Sequence, residues 1–230
     1  MMNTIFITGI GTDVGKTIAA AILTEALEAN YWKPVQAGYA EGTDAELIRS
    51  LISNKTTIIH PETYKLKLAA SPHIAAREEG IKIDLDRINN DYLEIINSQR
   101  SAMTDEALNI TYRSPFSFHN LIIEGAGGLM VPLNEDEFVL DLIKKLNAKV
   151  VLVSRNYLGS INHSLLTAEV CRHHNLNVLG WIFNDHYMNY EDEIVEWTGY
   201  PKLASVPFSN KIDAAFIAEQ ASVVRSNIKL

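Results

Sequence analysis

Residues Thr4 to Ala29, TIFITGIGTDVGKTIAAAILTEALEA, limit the choice of fold more than any other stretch of the chain. An apolar run (Ile5, Phe6, Ile7) breaks at Gly9, passes through a turn, and resumes after Gly15-Lys16-Thr17 with helical periodicity. This is the pattern of a strand, a phosphate-binding loop and a helix. A polyphosphate needs several backbone N–H groups aimed at it, and small residues such as Gly9, Gly11 and Gly15 permit that backbone. The helix N-terminus adds partial positive charge at the same place. Lys16 is then placed for the β- and γ-phosphates, and the Thr17 hydroxyl for a Mg²⁺ shell. The usual spacing GxxxxGK[ST] wants glycine at position 10, where this chain has Ile10, and Gly9 stands one residue early.

The rest of the chain fits an α/β protein of one domain. Its 230 residues suit a single unit of this class, and 47% hydrophobic with 21% charged residues is enough to bury a full core. A net charge of −8 argues against nucleic-acid or anionic-membrane partners, which need clustered Lys and Arg. The single cysteine, Cys171, lies in an apolar helical pattern with Leu165, Leu166, Ala168 and Val170 and reads as a buried thiol, in keeping with a reducing cytoplasm. The first residues have no basic region, the first apolar run is cut at Gly9, and no run approaches membrane-spanning length.

After the first helix, which Asn30 is expected to end, Trp32 to Val35 reads as a second strand leading into Gln36-Ala37-Gly38. Lys33 precedes Pro34 and is pushed toward extended geometry at a strand end, where parallel sheets place their ligands. Position alone favours an ordinary surface lysine. Thr43-Asp44-Ala45-Glu46 has the form of a capping box before a helix carrying Leu47, Ile48, Leu51 and Ile52. Asp44 either answers the helix dipole or faces a metal ion, and spacing does not separate the two. Ser71-Pro72-His73 is a further helix start, with Ser71 as cap and His73 structural. A helix is expected over 84–98, and residues 99–118 are weakly patterned, as in a surface loop or insertion.

The next chemical signal is Leu121-Ile122-Ile123-Glu124-Gly125-Ala126-Gly127-Gly128. Here an apolar strand ends in an acid and then glycines. Glu124 is an exposed strand end beside a tight turn, or a carboxylate beside a phosphate-bound Mg²⁺; the phosphate loop upstream favours the metal. Val150 to Val153 reads as a strand covered on both faces, Ser154 to Gly159 as a loop, and Ser160 as the cap of a helix running to His174. A strand from Val178 to Phe183, a helix from Asn189 to Thr198, a strand from Leu203 to Val206 and a helix from Ile212 to Ser226 follow. This alternation implies a mostly parallel sheet with crossover helices. The chain has no Cys pair for zinc, no His-Glu-x-x-His and no Gly-x-Ser-x-Gly turn.

In order, Gly11-Thr12-Asp13-Val14-Gly15-Lys16-Thr17, Lys33-Pro34-Val35, Ser71-Pro72-His73, Glu124-Gly125-Ala126-Gly127-Gly128, Ile161-Asn162-His163 and Gly180-Trp181-Ile182-Phe183-Asn184-Asp185 closely resemble dethiobiotin synthetases. The likeness covers roughly Ile5 to Phe208 and accounts for the glycine spacing, because the family's loop carries the same extra residue. It implies a P-loop NTPase fold with helices on both faces of the sheet. It also implies an ATP- and Mg²⁺-dependent ligase that closes the ureido ring of dethiobiotin from diaminopelargonate and CO₂.

Carried over by position, the resemblance implies that Asp13, Val14, Gly15, Lys16, Thr17 and Ile18 hold the ATP phosphates, with Thr17, Asp44 and Glu124 around Mg²⁺. Lys16 and Lys33 are then the cations at the reacting centre, and Gly125, Ala126 and Gly127 meet phosphate and substrate. Asn184 and Asp185 read the adenine, which Pro207, Phe208 and Ser209 flank. Thr12, Lys33 and Ala37 face the substrate, whose distant carboxylate is received by Gly159, Ser160 and Asn162 of the opposite subunit of a homodimer. Ala37 departs from the family, where Ser or Thr is common. That leaves a water or Gln36 to replace a hydroxyl. The competing class is a partitioning ATPase of the MinD/ParA type. Ile10, Gly11 and Thr12 offer no early lysine of that class, and no basic amphipathic helix closes the chain. A small-molecule kinase would bring an Arg-rich lid, which the sequence lacks.

Overall fold

The computed structural model describes residues 3–101, 120–185 and 187–230. Their elements are, in order, β1 (Thr4–Gly9), α1 (Lys16–Leu27), β2 (Asn30–Trp32), β3 (Val35–Ala37), α2 (Asp44–Leu51), β4 (Ile59–His60), β5 (Tyr64–Leu66), α3 (Pro72–Glu78) and α4 (Leu85–Ser101). The second part holds β6 (Leu121–Gly128), α5 (Val139–Lys145), β7 (Lys149–Arg155), α6 (Ser160–His173), β8 (Val178–Asn184), α7 (Glu191–Thr198), β9 (Lys202–Val206) and α8 (Ala214–Asn227). Of the stretch 99–118, residues 99–101 continue α4 and the remainder lies outside the described residues.

The main sheet has the order β4-β2-β6-β1-β7-β8-β9, and every neighbouring pair is parallel. Alternation along β1 sends Ile5 and Ile7 to one face and Phe6 to the other. On the Ile5 face, α1, α2 and α8 bury Ile22, Leu23, Ile48, Ile217 and Val224. On the Phe6 face, helices α3 to α7 bury Ala75, Ile88, Leu142, Ala168 and Ile194 with Trp32, Trp181 and Phe183. Both faces being covered, the central strands read as unbroken apolar runs. Cys171 is buried in α6, and burial pushes its thiol up to about 12.

Three expectations are corrected. The stretch Trp32 to Val35, expected as one strand, is divided between two. β2 ends at Trp32, Lys33 and Pro34 cross over, and β3 pairs with β5 in a separate two-stranded sheet. Pro34 supplies no N–H to continue the ladder, and its carbonyl instead accepts from Tyr64 N at 2.9 Å. The first helix stops at Leu27, with Glu28 left-handed at φ 47°, and Asn30 already belongs to β2, its side chain accepting from Ile58 N at 2.8 Å. Before α6, Gly159 at φ 106° is the cap and Ser160 is the first helical residue.

Candidate active site

The site forms where the carboxyl ends of β1, β2 and β6 meet the start of α1. Between β1 and α1 the chain turns through Asp13 and Gly15, both with positive φ (57° and 89°). A Cβ on Gly15 would overlap the Asn184 side chain, so glycine is required there. The first turn of α1 contains no acid, leaving its N-terminal dipole unopposed. The Lys16 ammonium folds back to donate to Gly11 O at 2.8 Å. Burial draws this lysine below its usual range, with Lys33 adding to the effect and Glu124 opposing it.

Glu124, only 1% exposed, is the hub. Its Oε1 accepts from the Thr17 hydroxyl at 2.9 Å and from Lys33 Nζ at 3.1 Å, and its Oε2 accepts from the Tyr31 hydroxyl at 2.7 Å. Lys33 Nζ also forms an ion pair with Asp44 Oδ2. Burial works to lower the Lys33 ammonium, but Glu124 and Asp44 outweigh it and hold Lys33 above the ordinary lysine value. Burial, reinforced by the Glu124 charge, raises the Tyr31 phenol well above its ordinary value.

Asp44 opens α2 through a complete capping box: Thr43 Oγ1 accepts from Glu46 N at 3.2 Å, and Glu46 Oε2 accepts from Thr43 N at 2.8 Å. The Asp44 N–H donates to Gln36 Oε1 at 3.2 Å, while Gln36 Nε2 donates to Gly38 O at 2.8 Å. Gln36 thereby helps to hold the start of α2, and it lines the cavity beside Ala37.

A cavity of about 880 Å³ opens over this network. It gathers Thr12, Asp13, Gly15, Lys16, Thr17, Ile18, Lys33, Ala37, Asp44, Glu124, Ala126 and Gly127 from the sequence-derived set. Leu47, Ala69, Ala70, Pro72 and Val131 supply an apolar wall, with Ser71 beside them. Sequence reasoning missed Tyr31 and this wall; Ser71 and Pro72 stood in a quoted motif as a helix start, without a role in the site. Ser71 Oγ lies 3.1 Å from His73 Nδ1.

Other expected residues stand apart from the cavity. Val14 is buried beneath the loop, and Gly125 is pressed against the Phe6 ring, where a Cβ would overlap it. Asn184, at the end of β8, donates to Val14 O at 3.2 Å and so touches the loop from its other side. Asp185 N donates to Val206 O at 3.0 Å, and its carboxylate pairs with Arg155 at 3.1 Å. Pro207, Phe208 and Ser209 follow β9, with Phe208 65% exposed. Gly159 and Asn162 lie at the surface. Ser160 is fully buried, its hydroxyl 2.7 Å from the Tyr190 hydroxyl and its N–H donating to Tyr157 O at 3.0 Å.

A parallel sheet with a Gly-Lys-Thr loop closing on an acid from the neighbouring strand defines a P-loop nucleotide-binding protein. Among solved structures the chain is similar to a ParA family ATPase from Chlorobium tepidum (TM-score 0.54, 14% identity, covering 96% of this chain and 98% of that one). It is also similar to the MinD cell division protein of Aquifex aeolicus (TM-score 0.54, 15% identity, covering 95% and 87%). Such identities speak for the fold alone. A family model described as an AAA domain matches residues 3–215. The ATP-dependent dethiobiotin synthetase BioD of Cytophaga hutchinsonii is 46% identical over 222 residues, covering 96% of both chains. The protein of the same name from Rhodopseudomonas palustris strain BisB18 is 37% identical, covering 93% of this chain and 91% of its own. The chain belongs to the dethiobiotin synthetase family.

Proposed function

We propose that this chain makes dethiobiotin from 7,8-diaminopelargonate, CO₂ and ATP. One substrate amine takes up CO₂ as a carbamate and releases a proton. The carbamate oxygen attacks the γ-phosphorus of ATP, ADP leaves, and a carbamic–phosphoric anhydride forms. The second amine attacks the carbamate carbon, expelling phosphate and losing a proton as the ring closes. Phosphoryl transfer asks mainly for positioning and charge neutralisation, so no protein nucleophile is needed.

The observation that carries this reading is the pair Lys16 and Lys33 in one cavity that also has an apolar side, formed by Leu47, Ala69, Ala70, Pro72 and Val131. Lys16 and the amides from Asp13 to Ile18 hold the phosphates, and Lys33 faces the carbamate. The methylenes of the substrate lie against Leu47, Ala69, Ala70 and Val131, near Thr12 and Ala37. Without a hydroxyl at Ala37, substrate binding is weaker and the reaction is the same. Asn184 and Asp185 meet the adenine, whose amide-like edge suits an Asn side chain, and Pro207, Phe208 and Ser209 flank it.

The donor set fits magnesium. Thr17, Asp44 and Glu124 offer only hard oxygens, and the two carboxylates already converge on one cation, the Lys33 ammonium. Among the described residues no three His, Cys, Asp or Glu gather as a metal cage, so phosphate oxygens and water would complete the shell. Bound there, Mg²⁺ would neutralise charge on the transferring phosphoryl group.

The substrate's distant carboxylate is received by α6 of a second subunit in a homodimer. Gly159 and Asn162 present the contact, and Ser160, tied to Tyr190, fixes the turn beneath them. The enzyme is placed in the cytoplasm as part of this proposal; among the described residues no helix is long and apolar enough to cross a membrane.

The test is mass detection of dethiobiotin from purified protein, diaminopelargonate, bicarbonate, ATP and Mg²⁺. Product formation is expected. Nucleotide hydrolysis without that product would replace this reading with a nucleotide switch of the MinD/ParA kind.

A further inference from the structure

We propose that Lys33 is the resident counter-ion of the metal site: in the cation-free protein its ammonium sits between Asp44 and Glu124, and a divalent cation displaces it toward the reacting groups. This rests on the reading of Thr17, Asp44 and Glu124 as the metal shell.

Two carboxylates directed at one buried point repel each other and pay for lost hydration unless a cation joins them. Lys33, 5% exposed, touches both. The oxygen it holds on Glu124, Oε1, is also the one that accepts from the Thr17 hydroxyl. A cation shared by Thr17 and Glu124 needs that same oxygen. An ammonium and a dication cannot both remain in contact with it, because like charges at such a separation repel strongly. The remaining Glu124 oxygen is held by Tyr31, so the carboxylate does not rotate freely to offer another position.

The geometry also shows which part moves. The Lys33 backbone is confined between β2 and Pro34, whereas its four-carbon stem rotates and lines the cavity beside Lys16. Cation arrival therefore makes the lysine available for an anion such as the carbamate. By linkage the effect is reciprocal: an anion that draws Lys33 away strengthens divalent binding.

Mn²⁺ serves as the probe, with free ion counted by electron paramagnetic resonance on the full chain without nucleotide. Lys33→Met should bind Mn²⁺ about tenfold or more tightly than the parent, because it removes a cation from the seat itself. Lys16→Met removes an equal charge from the same cavity without touching either carboxylate and should gain less. Equal affinity of Lys33→Met and the parent, or equal gains in the two variants, overturns the proposal. Lys33→Gln, which keeps polar contact with both carboxylates, replaces Lys33→Met if the latter gives no cooperative melt.

A second measurement separates this proposal from the metal-shell reading. With a non-hydrolysable ATP analogue bound, Glu124→Gln should weaken Mn²⁺ binding. If it does and the Lys33 variants show no gain, the shell stands and the counter-ion role fails. If Glu124→Gln leaves Mn²⁺ affinity unchanged, the shell itself is wrong and the proposal falls with it.

Discussion

Tyr31 is fully buried, and its hydroxyl is the donor that fixes the far oxygen of Glu124. Tyr31→Phe leaves that oxygen buried without the donor, at a cost of about 1–3 kcal/mol in stability. It should also raise the Mg²⁺ concentration for half-maximal activity, because Glu124 is then free to turn. A melting curve and a Mg²⁺ titration at saturating ATP check both effects; no change in either would reduce Tyr31 to packing. Nothing near Tyr31 in the sequence announces this role. The pairing sets Tyr31 opposite Ile122, so Glu124 lies two residues further along the same face, and 93 residues separate the partners. Register between parallel strands is not written locally. Lys16 and Thr17 were legible because a phosphate loop fixes their neighbours within a few residues. Leu47, Ala69, Ala70 and Val131 were not, because ordinary apolar residues become a substrate wall only when distant segments meet.

At the scale of elements, α2 shows how a cap serves chemistry. Thr43→Ala removes the side-chain half of the capping box and should cost about 1 kcal/mol. Asp44 is the next residue, so the same change should raise the Mg²⁺ requirement of activity and lower the melting temperature. Loss of stability alone, at an unchanged Mg²⁺ requirement, would limit the cap to folding. Strand β4 carries His60, whose Nε2 is buried without a hydrogen-bond partner, and burial lowers its imidazole below the ordinary value of 6.5. The folded state then binds a proton less readily than the unfolded state, so stability falls as pH drops from 6.5 through the lowered value. Melting of the parent should decline between neutral pH and about pH 5, and His60→Gln should decline less over the same range. Equal slopes would place the acid sensitivity elsewhere. The long alternation of strands and helices was readable because each apolar run repeats at its own period. Strands β4 and β5, at two and three residues, and α5, at seven, are too short to show one. The break at Lys33-Pro34 went unread because the extended geometry that Pro34 imposes on Lys33 is compatible with a continuing strand.

The molecule as a whole leaves Leu158, just before α6, and Leu166, within it, 83% and 58% exposed, with Asn162 exposed between them in sequence. A twofold contact there is the proposed source of a shared site. Light scattering should find a dimer at assay concentrations. Asn162→Ala should raise KM for the diamine with little change in kcat, since a contact far from the reacting atoms adds binding common to ground and transition states. An active monomer, or an unchanged KM, would contradict the shared site. The strand order has a further outcome for how the protein comes into being on the ribosome. Among the described residues β1 pairs only with β6 and β7, beginning at Leu121 and Lys149. The phosphate loop is therefore made well before the strands that support it, and β1 waits, unpaired, until β6 and β7 have emerged. Such distant pairings close late. A nascent chain should acquire nucleotide affinity only once β7 has emerged, which makes ATP binding a readout of sheet assembly rather than of early local folding.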